Sequence, residues 1–440
     1  ALNVTGIPFL GLMGSVGAFC ILVAVCIAIT LTPALLSRIG LRVLPKKQRA
    51  SVGTGEPEAV PTTPMRTSRA WLTLIGGLAA LLVIAIPALS MRLGLPTGAA
   101  EAEDSMQYQA YSITAEKFGA GVNGPLLVVA DLPSAVTDEA DQLAEQVRVG
   151  QALAAFDDVV AVAPIGANEA GTVLAFQVVP ADGPTSESTE QLVNDLRDAS
   201  PIEGDVTLGV AGTTSANTDV SEKLSNALPG YLAIVVGLSL IILIIVFRSI
   251  LVPVTATLGF VLSLFAALGG VVAIYQWGWL SAIFGVHDPS PVLSFLPIIV
   301  TGVLFGLAMD YQLFLVSGMR EAYAHGVDPK VAVRRGLHAG RVVVTAAAII
   351  MAAVFSGFIF SESSIIRPLG FGLAFGVLID AFVVRMLLIP ALMHLAGRSA
   401  WWIPRWLDRI LPDVDVEGAS LERTHPHPMH RTVDETAPRR

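Results

Sequence analysis

Charge is what this chain has least of. Only 14% of its 440 residues are Asp, Glu, Lys or Arg, while 53% are hydrophobic; a soluble globular domain carries about 25% charged residues. Such a chain is not solvated by water over much of its length, and its size excludes a single soluble core. Cysteine is nearly absent. Cys20 and Cys26 fall in one apolar run, which excludes a disulfide framework and leaves them as reduced packing residues. The chain opens Ala1-Leu2-Asn3, without Met or a basic segment, so no secretory leader is read there. Histidine is missing from residues 91–226. That region also has no Ser/His/Asp arrangement, metal-ligand cluster or phosphate loop, so neither hydrolytic nor metal chemistry is expected in it. Catalytic residues, cofactors and metals are expected nowhere in the chain, and nothing points to nucleic acid.

Long apolar runs are abundant. A membrane helix needs about 20 mostly apolar residues. Seven stretches qualify, at 11–37, 70–90, 228–247, 251–275, 292–317, 341–360 and 366–395. The segments between them give the orientation. Residues 38–69 hold seven basic residues against Glu56 and Glu58, residues 318–341 hold Arg320, Lys330, Arg334, Arg335 and Arg341, and Arg248 follows the third run. With the tail that carries Arg398, Arg405 and Arg409, these segments belong on the cytoplasmic side. Alternation then puts Ala1 outside and the tail inside. The expected reading is an α-helical multi-pass protein of the inner (plasma) membrane, with an N-terminal half preceding Ala1.

The organisation follows. Residues 1–37 are the last span of a first repeat, 38–69 a cytoplasmic linker, and 70–90 a span. Residues 91–226 are an external domain, 227–396 a five-helix bundle, and 397–440 a cytoplasmic tail whose end is solvated and broken by prolines. The external domain carries 21 acidic residues against 5 basic ones. Its pattern runs strand 125–130, helix 137–156, strands 159–162 and 172–179, helix 187–196, strand 206–211. That is the β-α-β-β-α-β order of a split ferredoxin-like α+β unit. It suits a substrate-handling domain and equally a stable insert of any other purpose.

Ionisable groups inside a span are costly, so each asks for a reason. Asp310 lies ten residues before Arg320, about 15 Å from the cytoplasmic edge by helix rise. Gly302, Gly306 and Asp310 are spaced by four and share one face, where the glycines admit a close helix neighbour. The carboxylate is therefore expected to point into a protein interface and to change protonation when water or a partner arrives. Tyr311 offers a hydroxyl to it. Val303, Leu307 and Phe314 flank Asp310 and either line a pocket or simply pack. Gly372, Gly376 and Asp380 repeat the spacing. Arg385, five residues on, lies about 140° around an α-helix from Asp380. It is expected either to bend back toward Asp380 as a polar clamp or to snorkel toward the cytoplasm.

The first span ends Thr30-Leu-Thr-Pro-Ala-Leu-Leu36 and the last Leu387-Leu-Ile-Pro-Ala-Leu-Met393. These read as the same helix of two parallel repeats. The segment Gly306-Leu-Ala-Met-Asp-Tyr-Gln-Leu-Phe-Leu-Val-Ser317, followed by Met319-Arg-Glu321, resembles the fourth-span motif of the MmpL branch of the resistance–nodulation–division superfamily. Gly376-Val-Leu-Ile-Asp-Ala-Phe-Val-Val-Arg385 with Pro390-Ala-Leu392 is similar to its last-span motif. Thr5-Gly-Ile-Pro-Phe-Leu10 and Leu31-Thr-Pro-Ala-Leu35 match the end of its first repeat.

The resemblance implies a whole of about twelve spans and two porter domains, exporting lipids or other hydrophobic envelope components on the proton gradient. It implies an Asp-Tyr relay in each half. Asp310 and Tyr311 match the second-half pair, and the first-half pair is not in this chain. The partners so implied are protons, membrane lipids, a lipid or amphiphilic substrate and the missing N-terminal half. Drug or siderophore efflux by the same mechanism, or a non-transporting scaffold that binds lipid, are the alternatives.

Overall fold

The computed structural model describes residues 8–43, 49, 61–202 and 204–411. Residues 1–7 with the start of the Thr5–Leu10 motif, half of the linker, at 44–48 and 50–60, and the tail 412–440 with His425, His427 and His430 lie outside the described residues. Seven helices among the described residues are long and apolar enough to cross a membrane: Gly11–Ile39, Thr67–Ser90, Thr213–Phe247, Leu251–Gln276, Leu296–Ala324, Pro329–Ile359 and Ile366–Trp401. They are referred to below as the first to seventh spans.

The apolar part of each span was legible from hydropathy, but several helices run further. The third begins at Thr213 rather than 228, because its first turns are polar and belong to the external domain. Gly212, at φ +108°, turns the chain into it from a strand. The sixth begins at Pro329 rather than 341. Asp328 caps it, its Oδ1 accepting from the amides of Lys330 at 3.0 Å and Val331 at 3.3 Å, and Pro329 sits where no amide is needed. The expected loop 318–341 is thus mostly helix. Arg334 and Arg335 of this helix hold the end of the linker, donating to the carbonyls of Thr63 and Pro61 at 3.0 and 3.2 Å.

The fourth and seventh spans are the innermost, with 72% and 67% of their apolar windows buried. The fifth packs on them, and Leu264, Val271, Val300, Leu304, Val377 and Val384 share one core. The first span is the opposite case: none of its window is buried. A helix apolar all round needs lipid or protein on every side, and no other part of the described residues covers it. Cys20 and Cys26, expected as packing residues, are free and exposed on it.

The external domain has the expected element order. Strands β2 (Leu126–Asp131), β3 (Val159–Ala167), β4 (Val173–Pro180) and β5 (Thr207–Ala211) form a sheet in the order β3-β4-β2-β5, all neighbours antiparallel. β4 lies between β2 and β3, which is the split ferredoxin-like arrangement. Helices Glu139–Ala154 and Glu187–Asp198 start at side-chain caps from Asp138 and Ser186. They cover one face through Val149, Leu153, Leu192, Val193 and Leu196, packed on Leu126, Val128, Leu174, Phe176 and Val178. A further helix, Met106–Phe118, was not foreseen. Two short strands tie the domain's base to the bundle. β1 (Leu93–Gly94), after the second span, pairs in parallel with β6 (Val292–Leu293), just before the fifth.

Candidate functional site

The five-residue spacing of Asp380 and Arg385 is resolved by the backbone between them. From Ile379 to Leu388 the seventh span is a π-helix, whose i→i+5 bonding brings the fifth residue onto the next turn. Arg385 Nε lies 3.1 Å from Asp380 Oδ2. The expected 140° offset, which assumed α geometry, does not occur. Nor does the snorkelling alternative, because Arg385 is 0% exposed and Asp380 only 3%.

Three spans meet at this pair. Ser263 of the fourth span donates to Asp380 Oδ1 at 3.3 Å. Arg385 Nη1 donates to Oε1 of Gln312 on the fifth span, which is also fully buried. A buried ion pair is tolerated when hydrogen bonds satisfy its remaining atoms, and here most are satisfied. Arg385 Nη2, Gln312 Nε2 and the Tyr311 hydroxyl are not: each is buried and has no partner among the described residues. Unsatisfied polar atoms concentrated this way mark a place where water, or a proton passing between groups, belongs.

Tyr311 follows Asp310 on the fifth span, and its side chain is buried. Asp310 itself is not enclosed. It is exposed on the outward side of the fifth span, with open space around Gly306 one turn before it. The interface expected over this face is not supplied by any other part of the described residues. Val303 and Phe314 are exposed on the same stripe and Leu307 is half-buried there, so these residues line an open face rather than a closed pocket.

The glycines divide accordingly. A Cβ at Gly376 would collide with Leu304 and come within 3.2 Å of Ala267; one at Gly372 would lie 3.1 Å from Val271. Both are sites of close helix approach, as their spacing suggested. At Gly302 the neighbour is the Tyr231 hydroxyl of the third span, 2.8 Å from where a Cβ would stand. Thr301 and Thr345 donate back to carbonyls of their own helices, Pro297 and Arg341.

Sequence reasoning missed Ser263 and Gln312. Gln312 had a signal, an amide directly after Tyr311 in an apolar span. Ser263 had none, since a serine in a span usually bonds to its own helix, as Ser263 also does to Phe260. Among the described residues no cluster of three or more His, Cys, Asp or Glu could hold a metal ion.

A family model described as "MMPL family" matches residues 1–75 and 120–413. Membrane protein YdfJ of Bacillus subtilis (strain 168) is 42% identical over 422 residues, 96% of this chain and 58% of YdfJ. The mycolic acid-containing lipids exporter MmpL11 of Mycolicibacterium smegmatis is 32% identical over 441 residues, covering 94% of this chain and 45% of that protein. The heme uptake protein MmpL11 of Mycobacterium tuberculosis (strain ATCC 25618 / H37Rv) is 31% identical over 432 residues, with 93% and 43% covered. The chain therefore spans about half the length of the curated relatives it matches.

Proposed function

Since this chain belongs to the MMPL family, a group of multi-pass inner-membrane proteins within the resistance–nodulation–division superfamily, we propose that it is the half of a proton-driven exporter that carries the Asp310–Tyr311 relay, and that its cargo is a lipid or another hydrophobic envelope component. The observation that carries this reading is the buried network of Asp380, Arg385, Gln312 and Ser263 beside Tyr311, with buried polar atoms left without a partner among the described residues. A scaffold has no use for partly satisfied charge in a membrane core, where fully satisfied packing is more stable. In this reading protons from outside reach Asp310, and Tyr311 links its charge to the Asp380–Arg385 pair. Neutralising Asp310 changes how the fifth span packs, and cargo is released outward without covalent catalysis.

The open face of Gly306 and Asp310 is where the remainder of a full-length protein would pack, enclosing the acid. A lipid cargo is favoured by the relative named as a lipid exporter. The relative named for heme uptake supports a second reading, in which the same machinery moves another amphiphile.

The test is Asp310→Asn in the full-length protein reconstituted in vesicles, with gradient-driven movement of labelled envelope lipid as the readout and folding checked alongside. Export abolished in a well-folded variant is the expected result. Undiminished export would reduce Asp310 to a structural residue. A wild-type protein that moves no lipid would shift the reading to another amphiphile or to a lipid-binding scaffold.

A further inference from the structure

The third span is one helix from the edge of the external sheet to the cytoplasm. It follows directly on β5, and its first turns are bound to the external domain. Thr214 donates to the Gly124 carbonyl at 3.2 Å, Ser215 donates to the Val210 carbonyl at 3.0 Å, and Arg197 grips Asp219 through two bonds of 2.6 and 3.0 Å. Further along, the same helix lies against the Asp310-bearing fifth span at three levels. Ser221 and Ser294, both buried, share a hydroxyl–hydroxyl bond of 2.8 Å. Ser221 spends its proton on the Asn217 carbonyl, so Ser294 is the donor. Tyr231, 2% exposed, packs with Leu224, Val235 and Ile298 and sets its hydroxyl over Gly302. Ser239 donates to the sulfur of Met309, the residue before Asp310, at 3.2 Å.

The middle level is the selective one. The Tyr231 hydroxyl is the sole neighbour that a Cβ at Gly302 would meet within 4 Å, so the missing side chain there serves this phenol. Pro229 and Gly230 stand immediately before Tyr231 in the helix. Proline removes an i→i−4 bond, so the third span has a pliant point between its Ser221 and Tyr231 contacts. A helix with such a joint passes on a displacement only if its membrane part is held in register with the span that moves.

We propose that Tyr231 and Gly302 form a key and notch that sets this register, so that movement of the Asp310-bearing span reaches β5 and the external domain through the third span. Both are positioning residues, and the proposal rests on the proton-driven reading above. Rotation or sliding of the fifth span would carry Gly302 against the Tyr231 phenol, while Ser294–Ser221 and the β1–β6 pairing follow at the outer end.

The experiment uses the full-length protein in vesicles under an imposed proton gradient, reading proton entry and lipid export together. Gly302→Ala should lower export at least about fivefold, the lower end of ordinary coupling energies, while proton entry falls much less. Tyr231→Phe alone should lower export less than Gly302→Ala does, because the ring still sits over the notch while its hydroxyl is gone. The Tyr231→Phe/Gly302→Ala pair should recover most of the lost export, because the clashing oxygen is gone. A double variant as impaired as Gly302→Ala, or a Gly302→Ala variant with normal export, overturns the proposal. Register is also read without transport, from the rate of disulfide formation between cysteines placed by Ser221→Cys and Ser294→Cys. That rate should change with Gly302→Ala and return in the pair with Tyr231→Phe; no change sinks the key and notch. If wild type moves no lipid while this pattern holds, it is the transport reading that fails.

Discussion

Arg385 reaches back to Asp380 across five residues, Nε to Oδ2 at 3.1 Å, because the helix between them is π rather than α. The pair is buried in the core of the bundle, so each charge depends on the other. Asp380→Ala should leave Arg385 uncompensated and cost about 3–5 kcal/mol, seen as a collapse of the detergent-solubilised thermal midpoint. Replacing both, as Asp380→Leu with Arg385→Met, should restore much of that stability, since well-packed apolar pairs match buried ion pairs. If the double variant is as unstable as the single one, the pair is not the interaction that holds these residues in place.

Tyr311→Phe separates proton handling from folding. The buried Tyr311 hydroxyl makes no hydrogen bond among the described residues, so its removal should not destabilise the fold and should raise stability by up to about 1–3 kcal/mol. Export by the full-length protein should nonetheless fall, because the link between the two acids is lost. A variant that is stable and exports normally would show that the phenol carries nothing.

The β-α-β-β-α-β order of the external domain was legible because alternating strands, capped helices and turn residues all agree locally, as at Asp138 and Ser186. The apolar runs gave the spans for the same reason. Hydropathy stops where the apolar run stops, so the polar first turns of the third and the sixth spans were invisible to it. The Asp380–Arg385 clamp was anticipated, but the 140° offset between the two residues was not real, because a fixed α period was laid over a segment that bonds i→i+5. Asp310 was placed in an enclosed interface by its glycine spacing, yet Gly306 faces open space in this chain. Spacing says that a face is smooth; it does not say what covers it.

That distinction between covered and open glycines is itself testable. Gly376→Ala should destabilise the bundle by about 1–3 kcal/mol, since its Cβ meets Leu304 and, at 3.2 Å, the immobile Cβ of Ala267. Gly306→Ala should cause no loss of stability in the 440-residue chain, where nothing lies within 4 Å. In the full-length protein the same substitution should lower stability or export if the remaining half packs on this face. Thermal midpoints of both variants in both chains decide it, and a harmless Gly306→Ala in the full-length protein would leave the Asp310 face uncovered there too.

One acid outside the membrane makes stability depend on pH. Asp288 lies in the loop ahead of β6, near the Tyr111 phenol; the residue stays exposed to solvent, and partial desolvation of its carboxyl sets it above the ordinary carboxylate range. The folded protein thus holds this proton more tightly than the unfolded chain does. The resulting stability is fully present below the unfolded value, about 3.9, and is lost as pH rises through the folded value. Asp288→Asn removes the charge and should raise the thermal midpoint at neutral pH only slightly, because solvent screens an exposed carboxyl. In acid the wild-type carboxyl is already neutral, so the difference between the two proteins should shrink toward zero. A gain that persists unchanged at low pH would mean that the substitution acts through packing or hydrogen bonding, and that desolvation of the Asp288 charge is not what burdens this loop.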